Sequence, residues 1–161
     1  YHGGDFYLEA HDSAVSVVAL NSDVSKIATA SEKGTLIRVF DAVNPGLIRE
    51  FRRGADRAVV YSLAFSPDSQ FLVASSDTGT VHVFALHHGV ENRRSRFSML
   101  SGMFSYASSE WSFAWWKGPD VPCVCGFAPS GRTIYVVRAN GEFSRLVFDP
   151  HKSGELCLAA A

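Results

Sequence analysis

The chain has 161 residues, 47% of them apolar, with 13 glycines and a formal net charge of −1 at pH 7, the composition of ordinary globular material of about one domain's length. It is not generically basic, which argues against nucleic acid as a partner and requires any anion site to be local. No stretch free of charged residues exceeds thirteen residues, short of the ~20 that a membrane-spanning helix needs.

The opening YHGGDFYLEA lacks a basic start followed by an apolar core, so it does not read as a secretory signal, although a chain that begins without methionine can simply be cut. The three cysteines, Cys123, Cys125 and Cys157, form no CxxC pair, and no Asn-x-Ser/Thr acceptor occurs. Both features read as a reducing, cytosolic protein.

From residue 18 the chain repeats itself. VALNSDVSKIATASEKGTLIRVF, residues 18–40, returns as LAFSPDSQFLVASSDTGTVHVF, residues 63–84. Asp23/Asp68, Ser31/Ser76, Gly34/Gly79 and Thr35/Thr80 match at an offset of 45, with one residue lost before Phe40/Phe84. A fainter copy, CGFAPSGRTIYVVRANGEFSRLVF, spans residues 125–148 and stands 62 beyond the second at Phe127 and Gly141. Each copy consists of short β-branched and aromatic runs broken by turn residues, which predicts several short strands per unit and no 3.6-residue periodicity.

All-β units of about 45 residues are the signature of WD-repeat-like β-propeller blades. The predicted units are 11–53, 54–116 and 117–149, with 150–161 as a tail. Propellers close with about four to eight blades, so the sequence reads as the C-terminal part of a larger ring whose open sheet edges would leave it marginally stable alone.

The second unit carries an insertion, HHGVENRRSRFSMLSGMFSYASS, residues 87–109. Arg93, Arg94 and Arg96 come first, and Phe97, Met99, Leu100, Met103 and Phe104 follow among serines and a glycine. A loop of this length is functional or disordered. It reads either as a mobile loop, or one folded back on the propeller rim, or as a membrane-surface loop, with arginines for anionic headgroups and apolar side chains for the acyl boundary.

SEKGTLIRVFDA, then FRRGADRAVVYSLAFS, then SSDTGTVHVF resembles the PROPPIN family, the seven-bladed autophagy propellers that bind phosphatidylinositol 3-phosphate and phosphatidylinositol 3,5-bisphosphate. The likeness is strong over about residues 11–86 and weaker beyond. Neighbouring side chains on a strand diverge, so Arg52 and Arg53 of Phe-Arg-Arg-Gly can each serve a separate pocket. Gly54 is expected to allow the tight exit into the next blade.

The resemblance implies a first pocket of His11, Ser31, Lys33, Thr35, Arg38 and Arg52, and a second of Arg53, Ser75, Ser76, Thr78, Thr80 and His82. Hydroxyls donate to phosphate oxygens, and the arginine fork binds them bidentately without losing its charge. Ser31, Ser76, Thr35 and Thr80 also fit a second role, capping the turn in each blade. His11 and His82 are expected to gain charge, and with it affinity, between about pH 7.5 and 6.

No catalytic motif, cofactor motif or metal-ligand spacing appears; Cys123 and Cys125 read as core thiols, and Trp111, Trp115 and Trp116 as packing or rim aromatics. The expected function is non-enzymatic: a cytoplasmic propeller that docks edge-on, peripherally, on autophagosome-precursor, endosomal or vacuolar/lysosomal membranes and recruits autophagy proteins. The alternative is a WD-repeat protein-interaction scaffold without lipid binding.

Overall fold

A computed structural model describes residues 5–87 and 110–159. Strands β1 (Val15–Leu20), β2 (Lys26–Ser31), β3 (Leu36–Asp41) and β4 (Gly46–Arg52) form an antiparallel meander, the first blade. The second is built from β5 (Val60–Phe65), β6 (Phe71–Ser76) and β7 (Thr80–Ala85); its outer strand β9 (Ala114–Lys117) comes after residues 88–109 and the two-residue β8 (Glu110–Trp111). The third blade is β10 (Cys123–Phe127), β11 (Thr133–Arg138), β12 (Phe143–Val147) and β14 (Cys157–Leu158), with β13 (Gly154–Glu155) before its last strand. No helix occurs among the described residues.

The repeats fold alike because the same turn chemistry recurs. Asn21 Oδ1 accepts the Lys26 amide at 2.8 Å, and Ser66 Oγ, 45 positions on, accepts the Phe71 amide at 3.0 Å. Asp23 and Asp68 each accept a nearby backbone N–H in an Asx-type turn.

Blades pack face to face. Ala28, Ala30, Ile37, Val39 and Phe51 of the first meet Leu63, Leu72, Ala74 and Phe84 of the second, with the Phe51 and Phe84 rings stacked at 4.9 Å. The opposite face of the second, with Val73, Val81, Val83, Ala114 and Trp116, packs on Cys123, Cys125, Ile134, Val136, Leu146 and Phe148 of the third. Cys123 and Cys125 are thus core thiols, and burial pushes the Cys125 thiol up to about 12.

The outer strands are stitched to one another in parallel. β8 pairs with β4 (Phe51↔Glu110, Arg52↔Trp111), and β13 pairs with β9 (Gly154↔Ala114, Glu155↔Trp115). Residues 154–158 therefore contribute strands to two sheets. Apolar side chains remain exposed on both flanks, Val18 and Leu20 on the first blade and Val124, Val137, Phe143 and Val147 on the third, as expected of blade faces that a continuing ring would cover.

Candidate functional site

The Arg52–Arg53 pair sits where β4 leaves the first blade. Phe51 is fully buried between the first two blades, so alternation turns Arg52 to the other face, which it shares with Arg38 and Glu50. Arg53 is only 6% exposed; its Nε donates to Gly34 O at 2.6 Å and its Nη2 to Asp56 O at 2.5 Å.

On the Arg52 face, Thr29, Arg38 and Glu50 lie in one row across three strands. Arg38 pairs through Nε with Glu50 Oε2 at 2.8 Å and donates through Nη1 to Ala10 O at 2.7 Å. The His11 ring Nε2 lies 2.9 Å from Thr29 Oγ1, and Ser31 is buried on the same side of β2. Lys33 and Thr35 belong to the turn above; Lys33 is exposed, and Thr35 O accepts the Arg53 amide.

In the crevice between the first and second blades, Ser76, Thr78 and Thr80 form a triangle of hydroxyls, 2.9 to 3.1 Å apart. His82 lies on the same face of the sheet, with its Nδ1 3.2 Å from Ser112 Oγ and the Arg53 charge close by. Sequence reasoning missed Lys117, whose Nζ reaches Thr78 O and the Asp120 carboxylate. The register Leu36↔Arg52 and Thr80↔Lys117 makes Lys117 the counterpart of Arg52, a correspondence hidden by the insertion that separates β9 from its repeat. Glu32, Arg57, Ala58, Val59 and Asp77 line an adjoining cavity of about 320 Å³.

Several expectations need correction. Ser75 does not join the hydroxyl triangle: its Oγ donates to Cys123 O at 2.7 Å, toward the third blade, because it alternates with Ser76. Thr35 is not the counterpart of Thr80; the ladder sets Thr80 level with Leu36, so the residue lost between copies falls at the turn. Gly54 has no left-handed φ and open space around its α-carbon. The required glycine is Gly34, at φ 60°, where a β-carbon would fall 1.7 Å from Ala58 O. Gly34→Ala is expected to cost on the order of 2 kcal/mol or more, read as a lowered Tm, since it adds a clash to left-handed strain.

The histidines are not poised to charge near pH 7. Burial and then the Arg53 guanidinium hold His82 down to about 4, and burial followed by Arg38 lowers His11. For His82 the unfolded chain binds the proton first, so stability falls as pH drops from about 6.5 toward 4, by up to about 3 kcal/mol, and is unaffected above that window. Urea unfolding at pH 7, 6 and 5 is expected to show this slope, and His82→Asn to flatten it.

The third blade departs from the pattern. Val137↔Phe143 corresponds to Ser75↔Val81, so Arg138 and Glu142 replace Ser76 and Thr80. Arg138 pairs with Glu142 at 3.3 Å and lies 5.2 Å from the Trp116 ring centre, so this crevice is filled by the buried arginine side chain itself.

The residues of the expected membrane-surface loop, Arg93, Arg94, Arg96, Phe97, Met99, Leu100, Met103 and Phe104, lie outside the described residues. Among the described residues, no helix is long and apolar enough to cross a membrane, and no three His, Cys, Asp or Glu side chains gather as a metal site.

Three four-stranded, face-packed blades define a partial WD-repeat-type β-propeller. Residues 6–110 match the sequence model of the PROPPIN family, and the chain belongs to that family. It is 38% identical over 156 residues to Autophagy-related protein 18e of Arabidopsis thaliana, covering 93% of this chain and 41% of that protein. With WD repeat domain phosphoinositide-interacting protein 1 of Xenopus laevis it shares 48% identity over 106 residues, 63% of this chain and 24% of the relative. The solved structure of Kluyveromyces lactis Hsv2p superposes with a TM-score of 0.71 at 33% identity, covering 95% of this chain and 49% of that one. The chain thus spans less than half the length of these relatives.

Proposed function

We propose that this chain is part of a non-enzymatic propeller that binds phosphatidylinositol 3-phosphate and phosphatidylinositol 3,5-bisphosphate through two pockets and brings autophagy proteins to the membranes bearing them. The observation that carries the reading is the divergence of Arg52 and Arg53 to opposite sides of the first blade, Arg52 onto the face of Arg38 and Glu50 and Arg53 toward His82. The first pocket uses Arg52, Arg38, His11, Ser31, Lys33 and Thr35. The second uses Arg53, the hydroxyls of Ser76, Thr78 and Thr80, and His82 as a neutral donor, with Lys117 added as a second cation.

A phosphate in the second crevice would exchange the hydroxyls' mutual hydrogen bonds for charge-assisted ones, about twice as strong as neutral ones. The relatives' names, autophagy-related and phosphoinositide-interacting, support the same role. Residues 87–109 supply a third, less specific contact with the bilayer surface, and the three together raise affinity through effective concentration. Attachment is peripheral, at autophagosome-precursor, endosomal or vacuolar/lysosomal membranes. Sedimentation of the complete propeller with phosphatidylcholine vesicles, with and without phosphatidylinositol 3-phosphate, tests the reading; equal sedimentation with both rejects it in favour of a lipid-independent scaffold.

A further inference from the structure

The hydroxyls of Ser76, Thr78 and Thr80 bond one another, while Lys117 Nζ donates to Thr78 O and to the Asp120 carboxylate. Lys117 stands directly opposite Thr80 in the ladder, so its side chain projects on the face that carries the hydroxyl triangle. Asp120 therefore brings a negative charge to the mouth of the crevice in which the proposed function requires an incoming phosphate. The Lys117 and Asp120 side chains are 48% and 72% exposed, so the carboxylate can turn outward into water.

Backbone contacts put Asp120 there. Gly118 N donates to Gly79 O at 2.9 Å, and Gly79 has a φ of 67°. A β-carbon on Gly79 would fall 2.5 Å from Pro119 O and 2.9 Å from Asp120 Oδ1, so the 118–121 connection lies directly on the turn that carries Thr78 and Thr80. The first blade offers an internal comparison. Arg53 N donates to Thr35 O next to the pair Leu36↔Arg52, so Gly118 occupies the place of Arg53. The first pocket also holds an ion pair, but Arg38 and Glu50 face each other within the ladder and are 25% and 22% exposed. Glu50 is thus fixed on a strand, whereas Asp120 sits on a connection and can release its cation.

We propose that Asp120 is an internal competitor for the headgroup: it holds Lys117 until a phosphate displaces it, and so makes the second pocket weaker than its own cations would allow. The proposal rests on the phosphoinositide reading above. An ammonium has three hydrogens, and the one given to Thr78 O can stay in place. Only the hydrogen given to Asp120 changes partner, and the carboxylate moves into solvent. A phosphomonoester carries about −1.5 to −2 charge and three acceptor oxygens, against a single charge on the carboxylate, so it wins the exchange. Exposed ion pairs are weak, so the competition lowers affinity by a small factor and does not block the pocket.

The test isolates the second pocket in the complete propeller with Arg52→Thr and titrates it calorimetrically with soluble short-chain phosphatidylinositol 3-phosphate. Adding Asp120→Asn is expected to tighten binding about threefold, Asp120→Glu to leave it near the parent value, and neither to move the thermal transition. With Lys117→Gln in place, which itself weakens binding, Asp120→Asn is expected to bring no gain. In Arg53→Thr, which retains the first pocket, Asp120→Asn should change nothing. Unchanged or weaker binding in Arg52→Thr/Asp120→Asn would overturn the proposal, as would a gain that survives Lys117→Gln or appears in Arg53→Thr. A wild-type protein that binds no short-chain phosphatidylinositol 3-phosphate would instead remove the phosphoinositide reading, and the proposal with it.

Discussion

Replacing Arg52 and Arg53 together by threonine is expected to lower binding to phosphoinositide vesicles at least a hundredfold. Each charge-assisted phosphate contact contributes about 1.5 to 3 kcal/mol, so losing two removes roughly 3 to 6, and a hundredfold is about 2.7. The single variants separate by environment. Arg52 is partly exposed at a strand end, and Arg52→Thr should lower the Tm less than Arg53→Thr while halving the number of sites. Arg53 is buried against two carbonyls, so Arg53→Thr should also lose about 1 to 3 kcal/mol of stability through the unsatisfied acceptors at Gly34 and Asp56. Binding must therefore be compared well below the lower Tm. If the double variant, shown to be folded by its thermal transition, sediments like wild type, the arginine pair is structural only.

The second large effect is expected in the 87–109 segment. Changing Phe97, Met99, Leu100, Met103 and Phe104 to serine should abolish most vesicle binding, since each large side chain moved from water into lipid contributes on the order of 1.5 to 3 kcal/mol. Binding of soluble short-chain phosphoinositide should be nearly unchanged, which distinguishes this variant from the arginine pair. Arg93, Arg94 and Arg96 should add a salt-sensitive contribution of about 1 kcal/mol each near an anionic surface. A dye at Ser101 is expected to shift to the blue on addition of vesicles; no shift while the protein demonstrably binds would make the segment a solvated connector.

The blades were legible in the sequence because a propeller repeats its strands and turns at a fixed spacing, and Asp23/Asp68 and Gly34/Gly79 mark the same two turns in successive blades. The divergence of Arg52 and Arg53 was legible for a related reason, since alternation along a strand follows directly from its geometry. What alternation alone could not supply was which face each of two adjacent serines takes. Ser75 and Ser76 both looked eligible, and only the packing of the third blade against the second determines that Ser75 turns to Cys123.

Other misses have a common cause in cross-strand register. A constant offset cannot show that the lost residue falls within the turn, so Thr35 and Thr80 looked equivalent although the ladder pairs them differently. Lys117 was hidden because its match to Arg52 runs through the outer strands, which an insertion separates in sequence. Gly54 stood beside the arginines and looked necessary, whereas the close approach occurs across the blade junction, at Gly34 against Ala58. The histidine expectation meets opposing electrostatics: burial first and then a neighbouring arginine lower both His82 and His11, and neither condition is visible in the sequence.

The central claim is that two adjacent arginines serve two separate headgroup pockets, and stoichiometry tests it most directly. Calorimetric titration of the complete propeller with soluble short-chain phosphatidylinositol 3-phosphate should give two headgroups bound per chain, falling to one in Arg52→Thr and, separately, to one in Arg53→Thr. A wild-type stoichiometry of one, or a single variant that loses both sites or neither, would contradict it.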